Sequence, residues 1–234
     1  LNEVVTGETK LIAVCNPNNP TGAILAEEEM GRIVAVAERV GAWLLADEVY
    51  SGAERLTDDQ TPSFWGRYDK VLAMNSLSKA YGLPGLRIGW VVAPATIRDD
   101  IWRRHEYTTI SATMLANKLA AAALSPEVRP RLRQRVRDYI RGGFSIFEEW
   151  LEDHESSFSL VPPEAAAIAF PRYHLDINSV DLAERLIREK SVLVAPGTHF
   201  GIDHHLRISF GLPPDYLHPA LDRVHELIVE LQGE

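Results

Sequence analysis

Residues 11–50 read LIAVCNPNNPTGAILAEEEMGRIVAVAERVGAWLLADEVY. Two apolar runs, 11–15 and 43–46, have the length of short buried strands. Between them Met30, Ile33, Val34, Ala37 and Val40 recur at the spacing of one helix face. Glu27, Glu28 and Glu29 stand where the positive end of a helix dipole favours anions, and Gly41 supplies the stop. Apolar strands joined by a helix predict an α/β domain with a largely parallel sheet. The stretch 16–22, directly after the first run, carries turn residues at nearly every position.

The same reading extends along the chain. Segments 71–74 and 88–93 are further strand candidates, and 97–108, 113–124 and 127 to about 152 have helical composition. The last of these carries Arg129, Arg131, Arg133, Arg135, Arg137 and Arg141, which in an acidic chain predicts a solvated face. Beyond about residue 153 the pattern becomes mixed, with strands at 158–161, 167–170, 192–195 and 206–210 and helices at 182–189 and 220–231. The expected architecture is therefore a three-layer α/β large domain with a mostly parallel, partial sheet over 1–150, including a long connecting helix, and a smaller α+β domain over 151–234. No internal repeat or low-complexity linker interrupts it.

Composition narrows the function classes. Of 234 residues, 46% are hydrophobic and 24% charged, which fits a globular protein with one large or two modest domains. A net charge of −9 argues against a nucleic-acid surface, which needs a basic face. No apolar run approaches the roughly 20 residues of a membrane-spanning helix, and residues 1–10 lack the pattern of a signal peptide. Cys15 is the only cysteine, so no internal disulfide is expected, and a cytoplasmic setting follows as the default. At the end of an apolar run, Cys15 reads as a small buried hydrophobe rather than a nucleophile.

Four clusters carry candidate chemistry, each at a strand end or in the loop that follows, where open α/β sheets gather ligands. The first is Asn16-Pro17-Asn18-Asn19-Pro20-Thr21-Gly22, which alone is a polar turn. The second, Asp47-Glu48-Val49-Tyr50, offers an aspartate that could also cap a following helix. The third, Ser76-Leu77-Ser78-Lys79 with Arg87 beyond it, puts two hydroxyls and two cations in one turn-rich connection, a donor set suited to phosphate. The fourth, Leu206-Arg207-Ile208-Ser209-Phe210, sets an arginine in an apolar strand, where it needs either an anionic ligand or a structural acid.

In this order the four clusters resemble the class I/II aminotransferases of the fold-type I pyridoxal-phosphate family, from about Leu11 to the C-terminus. The resemblance implies pyridoxal 5′-phosphate as cofactor, with no metal. It implies Lys79 as the lysine of the Schiff base and the base for the substrate's α-proton, in a desolvated pocket. By the same resemblance Asp47 keeps the pyridine nitrogen protonated, and Tyr50 and Asn19 hydrogen-bond the ring's 3′-oxygen. Ser76, Ser78 and Arg87 take the phosphate, Arg207 and Asn19 face the substrate, and the Asn19–Pro20 bond is cis. The implied reaction moves an amino group from an L-amino acid to a 2-oxo acid, in a homodimer.

Family members are usually much longer ahead of the Asn-Pro-Thr-Gly stretch, so the expectation is a piece of a longer enzyme. Two alternatives stay open. One is a different reaction on the same Schiff base, such as elimination, decarboxylation or racemisation. The other is a truncated, non-catalytic chain.

Overall fold

The computed structural model describes residues 1–233, which divide into two compact units. The first comprises Leu1–Asn18 and Ala23–Val136, and the second Asn19–Gly22 and Arg137–Glu234.

In the first unit, β1 (Leu11–Cys15), β2 (Trp43–Asp47) and β3 (Val71–Ser76) lie side by side in parallel. β4 (Gly89–Val92) closes the order antiparallel to β3, so the sheet is mixed. The two parallel pairs follow from helix-length connections, whereas the twelve or so residues between β3 and β4 turn back through a short 3₁₀ turn and return antiparallel. Helix α1 (Glu27–Val40) joins β1 to β2 and buries Met30, Val34 and Ala37 against Ile12, Leu44, Ala46, Val71 and Ala73. Burying each of the larger side chains in this layer stabilises the unit by about 1.5–3 kcal/mol. The Glu29 carboxylate accepts the Ala26 backbone N–H at 2.8 Å, and Gly41 ends the helix at φ 68°. Leu11, Ala13 and Val91 remain exposed. Helices α2 (Ala95–Glu106) and α3 (Met114–Ala123) follow, and α3 starts on Thr113, whose hydroxyl accepts from the Ala116 N–H.

The long helix α4 (Arg129–Glu152) runs through the division between the units. The solvated arginine face predicted for it is only partly present. Arg129, Arg131 and Arg135 are exposed, but Arg137 is buried and Arg133 and Arg141 are half-buried. Positions 133, 137 and 141 recur every four residues, so they share the face that also carries Ile140, Phe144 and Phe147. Arg135, although exposed, donates to the carbonyls of Tyr81 and Gly82, both at 3.3 Å.

The second unit is built of short strands and helices. β5 (Phe158–Ser159) pairs with β7 (Arg172–Tyr173), and β6 (Ile168–Ala169), β9 (Leu206–Ser209) and β8 (Ala195–Pro196) form a three-stranded antiparallel sheet with β9 central. An aromatic cluster of Phe144, Phe147, Trp150, Phe158 and Phe210 forms its core around α4. α5 (Ser179–Lys190) and α6 (Pro214–Gly233) add Leu182, Leu186, Leu217, Leu221 and Leu227 to the buried set. The predicted strand at 192–195 is displaced: Val192 and Val194 are buried, yet ladder pairing begins only at Ala195. The α6 helix starts ahead of its predicted onset and carries Pro219 within it. Gly22 belongs to this unit because its carbonyl accepts from Glu164 and Ala165, and a Cβ there would lie 2.5 Å from Ala165 O and Pro163 Cβ.

Candidate active site

Six of the eight expected site residues lie in the first unit, at the carboxyl ends of parallel strands and in the loops beyond them. Asp47 is the last residue of β2, in register with Cys15 on one side and Met74 on the other. No helix follows it to be capped; its Oδ1 accepts only locally, from the Val49 N–H at 3.2 Å. Asp47 is half-buried and has no ion-pair partner among the described residues. A cleft of about 610 Å³ opens beside it, lined also by Met74, Asn75, Trp90 and Trp102.

Three residues on, Tyr50 is buried, and the Lys79 amine stands over its ring, 5.8 Å from the centroid. Lys79 itself is exposed, so the desolvated pocket expected around it is not built by the described residues. The lysine sits in a tight turn. Gly82 N–H donates to Lys79 O at 3.0 Å, and Leu83 N–H to Leu77 O at 2.9 Å. Ser76 ends β3, and its hydroxyl accepts the Ser78 N–H at 3.2 Å. The Leu77 N–H donates to Ile88 O, closing the connection so that Arg87 returns alongside the serines. Arg87 is exposed, has a left-handed backbone (φ 54°), and donates to Pro84 O at 2.9 Å.

The other two expected residues meet in the second unit. Arg207, on the central strand β9, donates to the Asn19 side-chain oxygen at 3.2 Å and stacks over the Phe200 ring at 5.4 Å. Among the described residues no acid pairs with Arg207, so the structural ion pair is not made. The Asn19–Pro20 bond is cis, and so is Asn16–Pro17. Asn16 is a structural residue: fully buried, it accepts the Leu25 N–H at 3.0 Å.

Several residues near the site were not singled out from the sequence. Asn75 donates to Glu48 O and accepts from the Ser76 N–H, which ties the ends of β2 and β3 together. Glu48, buried beside Asp47, accepts from Ser63 Oγ and the Phe64 N–H, each at 2.8 Å. Glu54 is almost fully buried and accepts from Gly52 and Thr61. The only sequence signal for any of them is polarity inside or next to an apolar run, which surface positions share.

The donor set suits pyridoxal phosphate on chemical grounds. A carboxylate without a cation, a lysine on an aromatic face, and two hydroxyls with a guanidinium in one loop match a pyridinium, a carbonyl and a phosphate respectively.

Comparison with known proteins agrees with this geometry. The aminotransferase class I and II family matches residues 1–224. Capreomycidine synthase of Streptomyces vinaceus is 32% identical over 97% of this chain and 57% of its own length. Aromatic-amino-acid aminotransferase 2 of Thermococcus litoralis is 28% identical over 98% of this chain and 60% of its own. Among solved structures, a PLP-dependent aminotransferase from Streptococcus suis superposes with a TM-score of 0.88 at 31% identity, covering 98% of this chain and 60% of that one. The chain thus spans somewhat under two thirds of the relatives it matches. With a family match over nearly its whole length and the motif residues placed together within each unit, the chain belongs to the class I and II aminotransferases.

Proposed function

We propose that this chain carries the cofactor and substrate residues of a pyridoxal-phosphate-dependent aminotransferase, which moves an amino group from an L-amino acid to a 2-oxo acid. The observation that carries the reading is the grouping of Asp47, Tyr50, Ser76, Ser78, Lys79 and Arg87 at the ends of β2 and β3, with the Lys79 amine over the Tyr50 ring.

Each residue then has a physical task. Pyridoxal phosphate, when bound, supplies an electron sink that stabilises negative charge at the substrate's α-carbon. Asp47 holds a proton on the pyridine nitrogen by its fixed negative charge. Ser76, Ser78 and Arg87 bind the phosphate through charge-assisted hydrogen bonds, and Tyr50 and Asn19 donate to the 3′-oxygen. Lys79 would hold the cofactor's aldehyde carbon through its Nζ and would take and return the substrate's α-proton. Arg207 presents a planar fork to the substrate α-carboxylate, a geometry that lysine lacks.

A second reading has one observation in its favour: a relative at 32% identity is named a synthase and not an aminotransferase. Elimination, decarboxylation or racemisation would use the same residues. A homodimer is part of the proposal, supported by exposed apolar residues Ile110, Met114 and Leu115 around the start of α3. For the domains, 1–150 would form the cofactor-binding part with its helix and 151–234 the smaller one, and a cytoplasmic location is proposed with them. No described helix is long and apolar enough to cross a membrane.

The test is borohydride reduction in the presence of pyridoxal phosphate, followed by peptide mapping. The pyridoxyl group should be found on Lys79, and a label on Lys70 or Lys118 instead would overturn the assignment. Product analysis with an amino acid, with and without an oxo acid, separates transfer from the other reactions: only transfer needs the oxo acid for turnover.

A further inference from the structure

The loop after Tyr50 is closed by one buried carboxylate. Glu54 is 1% exposed, and its Oε1 accepts three hydrogen bonds: from the Gly52 N–H at 2.8 Å, the Thr61 N–H at 2.8 Å and Thr61 Oγ at 2.9 Å. A buried carboxylate of this kind is tolerated only where donors surround it, and charge-assisted bonds are the stronger ones. Around it the loop is cross-braced. Ser51 Oγ donates to Thr61 O at 2.9 Å, and Gln60 Nε2 donates to Ser51 Oγ at 3.0 Å. Residues 51 and 61 are thereby held together, and the segment between them is a clasp whose buried centre is Glu54.

The clasp lies between the two residues that carry the proposed chemistry. Tyr50 immediately precedes it, and the Tyr50 carbonyl accepts the Ala53 N–H at 2.9 Å. Gly52, whose N–H Glu54 takes, has φ 107°, and a Cβ there would lie 3.2 Å from Ala80 Cβ, next to Lys79. Tyr50 in turn carries the Lys79 amine on its ring.

We propose that Glu54 is a positioning residue: its buried carboxylate fixes the turn Tyr50–Ala53 through Gly52 and Thr61, and so holds the Tyr50 phenol in place beneath the Lys79 amine. The inference rests on the functional reading above, in which the Tyr50 hydroxyl donates to the 3′-oxygen of pyridoxal phosphate. That donation favours the anionic oxygen, so losing it raises the pH at which the bound cofactor's absorbance changes.

The experiment titrates that absorbance in the cofactor-loaded protein. Tyr50→Phe should raise the midpoint by about one to two units, the worth of one lost hydrogen bond to a charged oxygen. Glu54→Ala should raise it in the same direction, and Glu54→Gln, which keeps an acceptor oxygen, should restore it. The double variant Tyr50→Phe/Glu54→Ala should sit at the Tyr50→Phe midpoint, because Glu54 acts only through Tyr50. A Glu54→Ala midpoint equal to wild type, or a shift that persists undiminished in the Tyr50→Phe background, overturns the inference. If Glu54→Ala does not fold, Thr61→Val takes its place. It removes one of the three donors and should give a smaller rise, and an unmoved midpoint again overturns the inference. A wild type that takes up no pyridoxal phosphate overturns the functional reading itself, whereas a loaded wild type with an unmoved Glu54→Ala overturns this step alone.

Discussion

At the scale of single residues, the unneutralised carboxylate of Asp47 is the most exacting demand of the site. It stands half-buried at a strand end with no cation among the described residues, and its Oδ1 accepts from the backbone N–H two residues on. If its charge serves the pyridine nitrogen, Asp47→Asn preserves shape and removes the function. Turnover should fall by about tenfold to a hundredfold or more, the equivalent of one charge-assisted interaction, while thermal stability changes little. Steady-state kinetics beside a melting curve checks this, and wild-type turnover would return Asp47 to a local turn role. Its neighbour Glu48 predicts a pH effect of the other kind. Burial pushes the Glu48 carboxyl up from its ordinary 4.5, and the nearby Asp47 charge adds to this. Bonds from Phe64 and Ser63 and the charge of Arg67 oppose it. A raised folded-state pKa means that Glu48's stabilising contribution is complete below 4.5 and is lost as pH rises through the higher folded value. Wild type should therefore lose stability relative to Glu48→Gln between pH 4.5 and neutrality, as read by denaturant unfolding at several pH values. A constant difference across that range would count against it.

The placement of Asp47 and Ser76 at strand ends was legible in the sequence, because each closes an apolar run, where a polar residue is conspicuous. Asp47 ends β2 and Ser76 ends β3. Glu54, Thr61 and Asn75 were not legible, since their roles depend on which distant backbone groups the loop folds against. The exposure of Lys79 in this chain was not legible either, because motif order says nothing about which side chains cover a lysine.

At the scale of elements, periodicity placed α1 and the first three strands to within two residues, since each combines an unbroken apolar pattern with a clear stop such as Gly41. It did less well in the second unit, whose ladders are two to four residues long and too short for a period-two signal. The early start of α5 had a signal that the apolar count missed. Asn178 is its N-cap, and the side-chain oxygen accepts from Val180 at 3.1 Å and Asp181 at 3.0 Å. Asp203 adds a second acceptor, taking the Ser179 N–H at 2.7 Å, and that bond holds its carboxyl below the usual range. Asn178→Ala should cost about 1 kcal/mol, lowering the melting temperature by roughly 2–4 °C in a chain of this size. Lysine at position 178 should do no better, because it brings no acceptor and sets a cation at the positive end of the helix. An unchanged melting temperature in Asn178→Ala would mean that Asp203 alone suffices as cap.

At the scale of the whole molecule, the two units carry different parts of the proposed chemistry, and this makes their contributions separable. The first unit holds Lys79, Asp47, Ser76, Ser78 and Arg87; the second holds Arg207 with Asn19. Arg207 lies on the central strand of its sheet with a phenyl ring and an amide oxygen as partners and no acid among the described residues. An arginine so placed is costly unless an anion meets it, and a substrate carboxylate is the anion that the functional reading supplies. Arg207→Lys keeps the charge and loses the two-point fork. The loss should weaken use of amino acids by about 1.5–3 kcal/mol in transition-state terms, roughly tenfold to over a hundredfold in kcat/KM. Borohydride labelling of Lys79 should be untouched, because no residue of the first unit changes. The deciding comparison sets an amino acid against the matching amine that lacks the α-carboxylate. Wild type should strongly prefer the acid, and Arg207→Lys should lose most of that preference while reacting with the amine as before. Equal losses toward acid and amine, with a lowered melting temperature, would make Arg207 a structural residue of β9, and an unchanged preference would mean that another group reads the carboxylate.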